Sequence, residues 1–467
     1  FSREGVINTN FNIYNISRIV KKYKSSEFVL SPPLTAVVVT DFHIDPLYEA
    51  YGVADCDAPT CCRKGQTPSE PAGYWGDYRD CDTPIQGFDD AVDRIAETHK
   101  VDIVYYVGDT IDHFVWETTY ELINDVNRYA IQKLRASFGD DVLIVPVIGN
   151  HESQPTNQFA PPYVTGEYVN TTWLYEALAD KWSYYLPEEA KATFLDRGEY
   201  SIRVRPGLRV ITLNSNIAYK YNWWISFDPL DAKRHLDWLV DELSKAEQAG
   251  ESVHIISHIP PGVADLTYTW TREYNRIVNR FSSTIKAEFN GHTHSDEFKV
   301  FYNEAGDPIN VAWGAGSVTT YSFYNLNYKI IKFDGATYNY VYNLTEANLT
   351  PNRRPHWFKL YDMKNTFGLT DLSALSINDL TRRMATTDKH LLDIYNAFFS
   401  KVSDSRWSWC NEGCKLDNLC KTVVTVLWER SKCDELRNFS LVIITQAYLL
   451  SLELDGAEFK NNLHFIL

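Results

Sequence analysis

The sequence predicts an α/β sandwich, with strands inside, helices outside and polar loops gathered at one rim. Short β-branched apolar runs recur, each followed at once by polar residues: LTAVVVT leads into DFH, VDIVYYV into GD, VLIVPVI into GNHE and SVHIIS into HIPPG. Their length and composition are those of strands buried on both faces. Between some of them, at 116–137 and 229–248, apolar residues fall at three- and four-residue steps, the spacing of a helix with one buried face. Strands alternating with helices imply this fold class.

In chain order, residues 1–33 read as a lead-in or linker that ends in the breaker SPP. Residues 34–370 carry the strand-helix alternation as one large domain. From 371 the pattern changes. DLSALSINDLTRRMATTDKHLLDIYNAFFSKV is helical in period, and 371–435 are expected to form a small helical subdomain stapled by cysteines. Residues 436–467 receive no assignment. The run FSLVIITQAYLLSLEL (439–454) is broken by Ser, Thr, Gln and Glu, and falls short of the ~18 apolar residues of a membrane span.

Bulk composition narrows the function classes. The 467 residues are 44% hydrophobic and 23% charged, a globular balance. The formal net charge of −16 (45 basic against 61 acidic residues) argues against a nucleic-acid partner held by phosphate neutralisation. The eight cysteines form two local groups, Cys56, Cys61, Cys62, Cys81 and Cys410, Cys414, Cys420, Cys433. Even numbers in clusters point to disulfides in an oxidising compartment, with three connectivities open to each group. Neither group has the paired Cys-x-x-Cys hooks of a zinc knuckle. Five Asn-x-Ser/Thr triplets, opened by Asn15, Asn170, Asn343, Asn348 and Asn438, agree with the secretory pathway and a secreted or lysosomal protein. The chain opens at Phe1 with no signal peptide, and reads as a mature form or a fragment.

In α/β sheets ligands bind beyond the carboxyl ends of strands. The polar residues at that rim are Asp41, His43, Asp109, Asn150, His151 and His258; AEFNGHTH adds His292 and His294. Carboxylate, imidazole and amide oxygen together suit zinc, manganese or iron rather than calcium. Asp41, His43, Asp109, Asn150, His258, His292 and His294 exceed the needs of one tetrahedral ion. They suffice for two if a carboxylate bridges, and Asp109, after a strand and a glycine, is the natural bridge. His151, next to Asn150, is the first candidate for a general acid, and His113, four residues after Asp109, the second. His254 reads as a packing histidine.

This ordered set resembles the calcineurin-like metallophosphoesterases. The resemblance implies a double β-sheet sandwich flanked by helices, with 34–370 as the catalytic domain, and two Zn2+ ions or other divalent metals. One metal takes Asp41, His43, Asp109 and His294; the other takes Asp109, Asn150, His258 and His292. It also implies the reaction: a hydroxide between the metals attacks phosphorus while His151 protonates the leaving alkoxide. Within that superfamily, DCDAPTCCRKG, GYWGDYRDCD, YVGDTIDHFVW, VIGNHESQP, HIISHIPPG, FNGHTHSDEFKVFY, NTTWLYEALADKW and YNLTEANL resemble the acid sphingomyelinases, from about Leu34 to Cys433.

That closer resemblance implies hydrolysis of sphingomyelin to ceramide and phosphocholine, at a transiently contacted membrane surface. It implies the disulfides Cys56–Cys61, Cys62–Cys81, Cys410–Cys414 and Cys420–Cys433, and substrate contacts from Asn150 and Tyr321. There are departures. The family's N-terminal saposin domain is not found in this sequence. Ala218 and Ala264 replace a cysteine pair joining two loops beside the site, and Tyr221 replaces a glutamate near the lipid entrance. The aromatic stretch YKYNWWISF (219–227) reads either as a lipid-facing surface or as a core strand with an aromatic loop. Two other functions stay open: a phosphodiesterase for nucleotides or small phosphodiesters of the acid sphingomyelinase-like type, and a secreted binder of lipid headgroups or nucleotides without turnover.

Overall fold

The computed structural model describes residues 33–66, 70–333 and 336–439. Asn15, nearly all of the 1–33 lead-in and residues 440–467, with all but the first residue of the 439–454 run, lie outside the described residues.

Twelve strands among the described residues form two six-stranded sheets. In the first, β1 (Thr35–Val39), β2 (Ile103–Tyr106) and β3 (Leu143–Pro146) run parallel, while β10 (Asn327–Lys332), β11 (Ala336–Val341) and β12 (Phe358–Asp362) continue antiparallel from β1. Its order is β12-β11-β10-β1-β2-β3. The second sheet holds β4 (Tyr200–Arg205), β5 (Leu208–Leu213), β6 (Ser252–Ser257), β7 (Ile285–Asn290), β8 (Phe298–Tyr302) and β9 (Pro308–Gly314), in the order β4-β5-β6-β7-β9-β8. There β5, β6, β7 and β9 are parallel and the two edge strands antiparallel.

The parallel strands are the apolar runs read from the sequence. Residues 36–39 of β1 are buried on both sides, as a central parallel strand requires. Register then sets the rim: Val39 lies opposite Tyr106, and Tyr106 opposite Pro146, so the three chains leave the sheet at one level. The loops after β1, β2, β3, β6 and β7 carry the Asp, His and Asn residues singled out above.

One apolar core joins Val37 and Tyr105 of the first sheet to Val300 and Trp313 of the second, and continues into helices Ile85–Thr98 and Tyr120–Phe138 through Phe88 and Leu134. A second core packs Ile255 against Leu239 and Leu243 of helix Asp231–Ala249 and Trp270 and Tyr274 of helix Tyr268–Arg280. The C-terminal helices Ala374–Ala385 and Lys389–Phe399 place Ile377, Leu380, Met384 and Leu392 in the first core. Segment 371–439 therefore shares the sandwich's core rather than filling one of its own. Cys56–Cys61 and Cys62–Cys81 tie down the loop after β1, and Cys410–Cys414 and Cys420–Cys433 the C-terminal helices.

The core-strand reading of 219–227 does not hold. Tyr219 makes only an isolated bridge to Leu266, Trp224–Phe227 is a single helical turn, and Trp223 and Phe227 are 77% and 64% exposed. The cause is Asn222, whose amide bonds the backbone of Phe159 and Asn216 and turns the chain outward. No helix among the described residues is long and apolar enough to cross a membrane.

Candidate metal centre

The rim loops turn so tightly that Asp41, His43, Asp109, His292 and His294 all take left-handed backbone conformations, with φ of 51°, 40°, 55°, 68° and 55°. Such residues are held by their surroundings at a cost of about 1–3 kcal/mol each. Glycines make the convergence sterically feasible. A Cβ on Gly149 would stand 2.1 Å from Asp109 Oδ1, and one on Gly291 2.1 Å from Thr40 Oγ1. Glu152 couples the loops after β2 and β3 by accepting from the N–H groups of Gly149, Asp109 and Thr110.

The result is two facing sets of donors. In one, His43 Nε2 lies 3.1 Å from His294 Nε2, 3.8 Å from Asp41 Oδ1 and 3.6 Å from Asp109 Oδ2, and His294 Nε2 lies 3.4 Å from Asp41 Oδ1. In the other, His258 Nε2 lies 3.0 Å from Asp109 Oδ2 and 3.1 Å from Asn150 Oδ1, and His292 Nδ1 lies 3.0 Å from Asn150 Oδ1. One oxygen, Asp109 Oδ2, faces both sets.

Each ring is oriented from behind. His43 Nδ1 bonds Ile111 O, His258 Nδ1 bonds Val107 O and His294 Nδ1 bonds Tyr321 O, so each N–H is held by a carbonyl and each bare Nε2 points inward. His292 is reversed: its Nε2 bonds Asp265 Oδ2, leaving Nδ1 to face Asn150. The Asn150 amide is fixed because its Nδ2 donates to Asn157 Oδ1, turning Oδ1 inward. Lone pairs aimed at one another at these separations repel unless a cation lies between them. Ligands ~2.0–2.2 Å from a tetrahedral ion stand ~3.3–3.6 Å apart, close to the spacings found. The residues present thus fit two divalent cations sharing one carboxylate.

The electrostatics agree. Burial alone would push the Asp41 carboxyl up, yet the imidazoles of His294 and His43 outweigh it and hold it below the usual range. Asp109 is likewise raised by burial and more strongly lowered by His258 and His151. His258, disfavoured as a cation by burial, is raised to about 9 by the Asp109 carboxylate beside it, which draws a proton onto Nε2; a divalent cation seated between the two would take that proton's place.

All seven sequence-predicted ligands meet here; Asp109, Asn150, His292 and His294 line a cavity of about 280 Å³ together with His113, His151 and Tyr321. His151 Nδ1 bonds Asp112 O, and its backbone N–H donates to Asp109 Oδ1. His113 stacks between the rings of His43 and Tyr321, at 3.9 Å from each, with Nδ1 held by the buried Asp82 carboxylate. Burial and the neighbouring His151 and His294 keep His113 well below its usual range. His254 lies away from the cavity, buried and bonded to Tyr105 Oη. Sequence reasoning missed Asp82, Glu152, Asp265 and Arg406. The first three touch the predicted residues directly, but only the fold shows those contacts; Arg406 reaches the cavity from the C-terminal segment.

The family described as Calcineurin-like phosphoesterase matches residues 34–296, and the Acid sphingomyelin phosphodiesterase C-terminal region matches 310–438. Sphingomyelin phosphodiesterases of Bos taurus and Homo sapiens are each 38% identical over 401 residues, covering 82% of this chain and 63% and 62% of theirs. Sphingomyelin phosphodiesterase 1 of Caenorhabditis elegans is 35% identical over 86% of this chain and 73% of its own. The chain thus spans less than two thirds of the length of the bovine and human relatives.

Proposed function

We infer the function from one premise: this chain belongs to the calcineurin-like phosphoesterases, on the acid sphingomyelin phosphodiesterase branch. Its reaction is the hydrolysis of sphingomyelin to ceramide and phosphocholine. The observation that carries this reading is the pair of donor sets sharing Asp109, within a chain that matches the calcineurin-like phosphoesterases over 34–296 and the acid sphingomyelin phosphodiesterase C-terminal region over 310–438.

Two zinc ions are the cofactors that the donor set of four imidazoles, two carboxylates and one amide favours. Bound there, they supply an acidified water and charge neutralisation for a phosphoryl group. The chain's own residues do the rest. Asn150, with its amide locked by Asn157, and Tyr321, stacked on His113, border the space the phosphodiester takes. His151 and His113 stand over His43, each with Nδ1 anchored, so each presents Nε2 to the cavity. His151 donates the proton to the departing alkoxide, and His113 orders the rings around it.

Secretion or lysosomal residence and a passing contact with a membrane surface belong to the same reading, which the four disulfides support. Of the described sequons, Asn438 is exposed and Asn343 half-buried, both suited to a glycan; Asn170 is half-buried with Nδ2 donating to Gly166 O. Asn348 Nδ2, where a glycan would attach, already donates to Gly76 O.

The test is an assay of the metal-loaded protein on sphingomyelin in detergent micelles and on ATP, from acidic to neutral pH. Phosphocholine release supports the reading. Phosphate from ATP alone would move the chain to the nucleotide phosphodiesterases, and no turnover of either would make it a binder.

A further inference from the structure

The cavity at the metal centre has one Lys or Arg side chain among its described lining residues, Arg406, in the short helix Asp404–Trp409. Its guanidinium is half-buried and held in a fixed pose. Nε donates to Ser322 O at 2.9 Å, Nη1 donates to Tyr324 Oη at 2.8 Å, and the group lies 4.0 Å over the Tyr324 ring. Tyr324 Oη is in turn 3.1 Å from Ser295 Oγ, one residue beyond His294. Among the described residues no carboxylate pairs with Arg406, and Nη2 has no hydrogen-bond partner. A second cation, Lys401, lies 4.3 Å from the same ring but is fully buried and turned to Ser317 Oγ.

A guanidinium left without a counter-ion beside a recess is a poor structural choice and a good anion receptor. It stays charged at every working pH and presents planar donors that match a phosphate. The backbone carbonyl and the phenol satisfy only part of its fork, and both fix its direction. We propose that Arg406 is a substrate-binding residue that holds a non-bridging phosphoryl oxygen of the phosphodiester through its free Nη2. The C-terminal segment would then complete the site as well as brace the sheet. This rests on the phosphoesterase reading above for the identity of the anion, but not on sphingomyelin as the substrate.

The test is calorimetric titration of the metal-loaded protein with inorganic phosphate, paired with steady-state hydrolysis of bis(p-nitrophenyl) phosphate, a soluble diester. Arg406→Gln is expected to weaken phosphate binding about 10- to 100-fold, the worth of a hydrogen bond to a charged group. It is also expected to raise KM for the diester, with metal content unchanged. Arg406→Lys keeps the charge without the fork and should recover part of the loss. Wild-type phosphate affinity in Arg406→Gln would overturn the proposal and leave Arg406 a staple between the C-terminal segment and the Ser322–Tyr324 loop. Should Arg406→Gln not fold, Arg406→Lys decides: at least a threefold weaker phosphate affinity is expected, and an unchanged one overturns the proposal. Failure to cleave sphingomyelin alongside Arg406-dependent phosphate binding would sink the substrate reading and leave this one standing.

Discussion

At the scale of single residues, the centre is organised by what stands behind each ligand. Four histidines have one nitrogen engaged by a carbonyl or carboxylate and the other bare, so tautomer and direction are set before any ligand arrives. His151 shares this anchoring but belongs to neither donor set, which suits a proton donor. His151→Ala should lower kcat on choline-type substrates by about 10²–10⁴-fold while metal content stays at the wild-type level. Normal turnover in that variant would remove His151 as the acid.

A second residue ties stability to pH. Glu288 of β7 is fully buried, and burial pushes its carboxyl up to about 8 from 4.5, against the opposing hydrogen bonds from Tyr274 and Asn310. Between those values the folded chain keeps a proton that the unfolded chain has lost, so this group erodes stability as pH rises toward 8. Glu288→Gln should therefore gain on the wild type between pH 5 and pH 8, by up to a few kcal/mol. Urea unfolding at the two pH values measures it, and an equal difference at both would contradict the assignment.

At the scale of elements, the parallel strands were legible because each apolar run stops at a polar residue, and the fold uses that stop as its rim. β6 spans Ser252–Ser257, the run read from sequence, and His258 follows at once. The loop 219–227 was not legible in the same way. Five aromatics in nine residues satisfy a buried strand and an exposed surface equally, and the deciding contact is the distant pairing of Asn222 with Phe159. In the structure Tyr221, Trp223, Phe227 and Leu230 are exposed, beside Tyr219, which lines the metal cavity. Such side chains favour the membrane interface. The double variant Trp223→Ala, Phe227→Ala should bind sphingomyelin vesicles several-fold more weakly in a sedimentation assay yet hydrolyse a soluble diester at the wild-type rate. Equal loss on both would mean that the loop serves the site's geometry instead. Arg406 was invisible for a related reason: it sits in DSRWSW, which carries no motif, and only tertiary folding brings it to Tyr324.

At the scale of the whole molecule, two sheets and a C-terminal helical segment close on one another so that loops far apart in sequence supply one centre. Asp41 and His294 are 253 residues apart, and their donor atoms stand 3.4 Å apart. The order of motifs along the chain was enough to single out the seven residues that converge here, because in this architecture each one follows a strand. That the C-terminal helices share the core was not legible. Periodicity shows which face of a helix is apolar, not what covers it; Ile377 and Leu380 belong to the sandwich's core, together with Leu392 and Leu419 of their own segment. Asp109 Oδ2 faces both donor sets, so metal analysis of the purified protein against Asp109→Ala is the decisive measurement. Two divalent ions per chain are expected in the wild type, and loss of both in the variant. A single ion in the wild type, or a variant that keeps two, would contradict a shared Asp109.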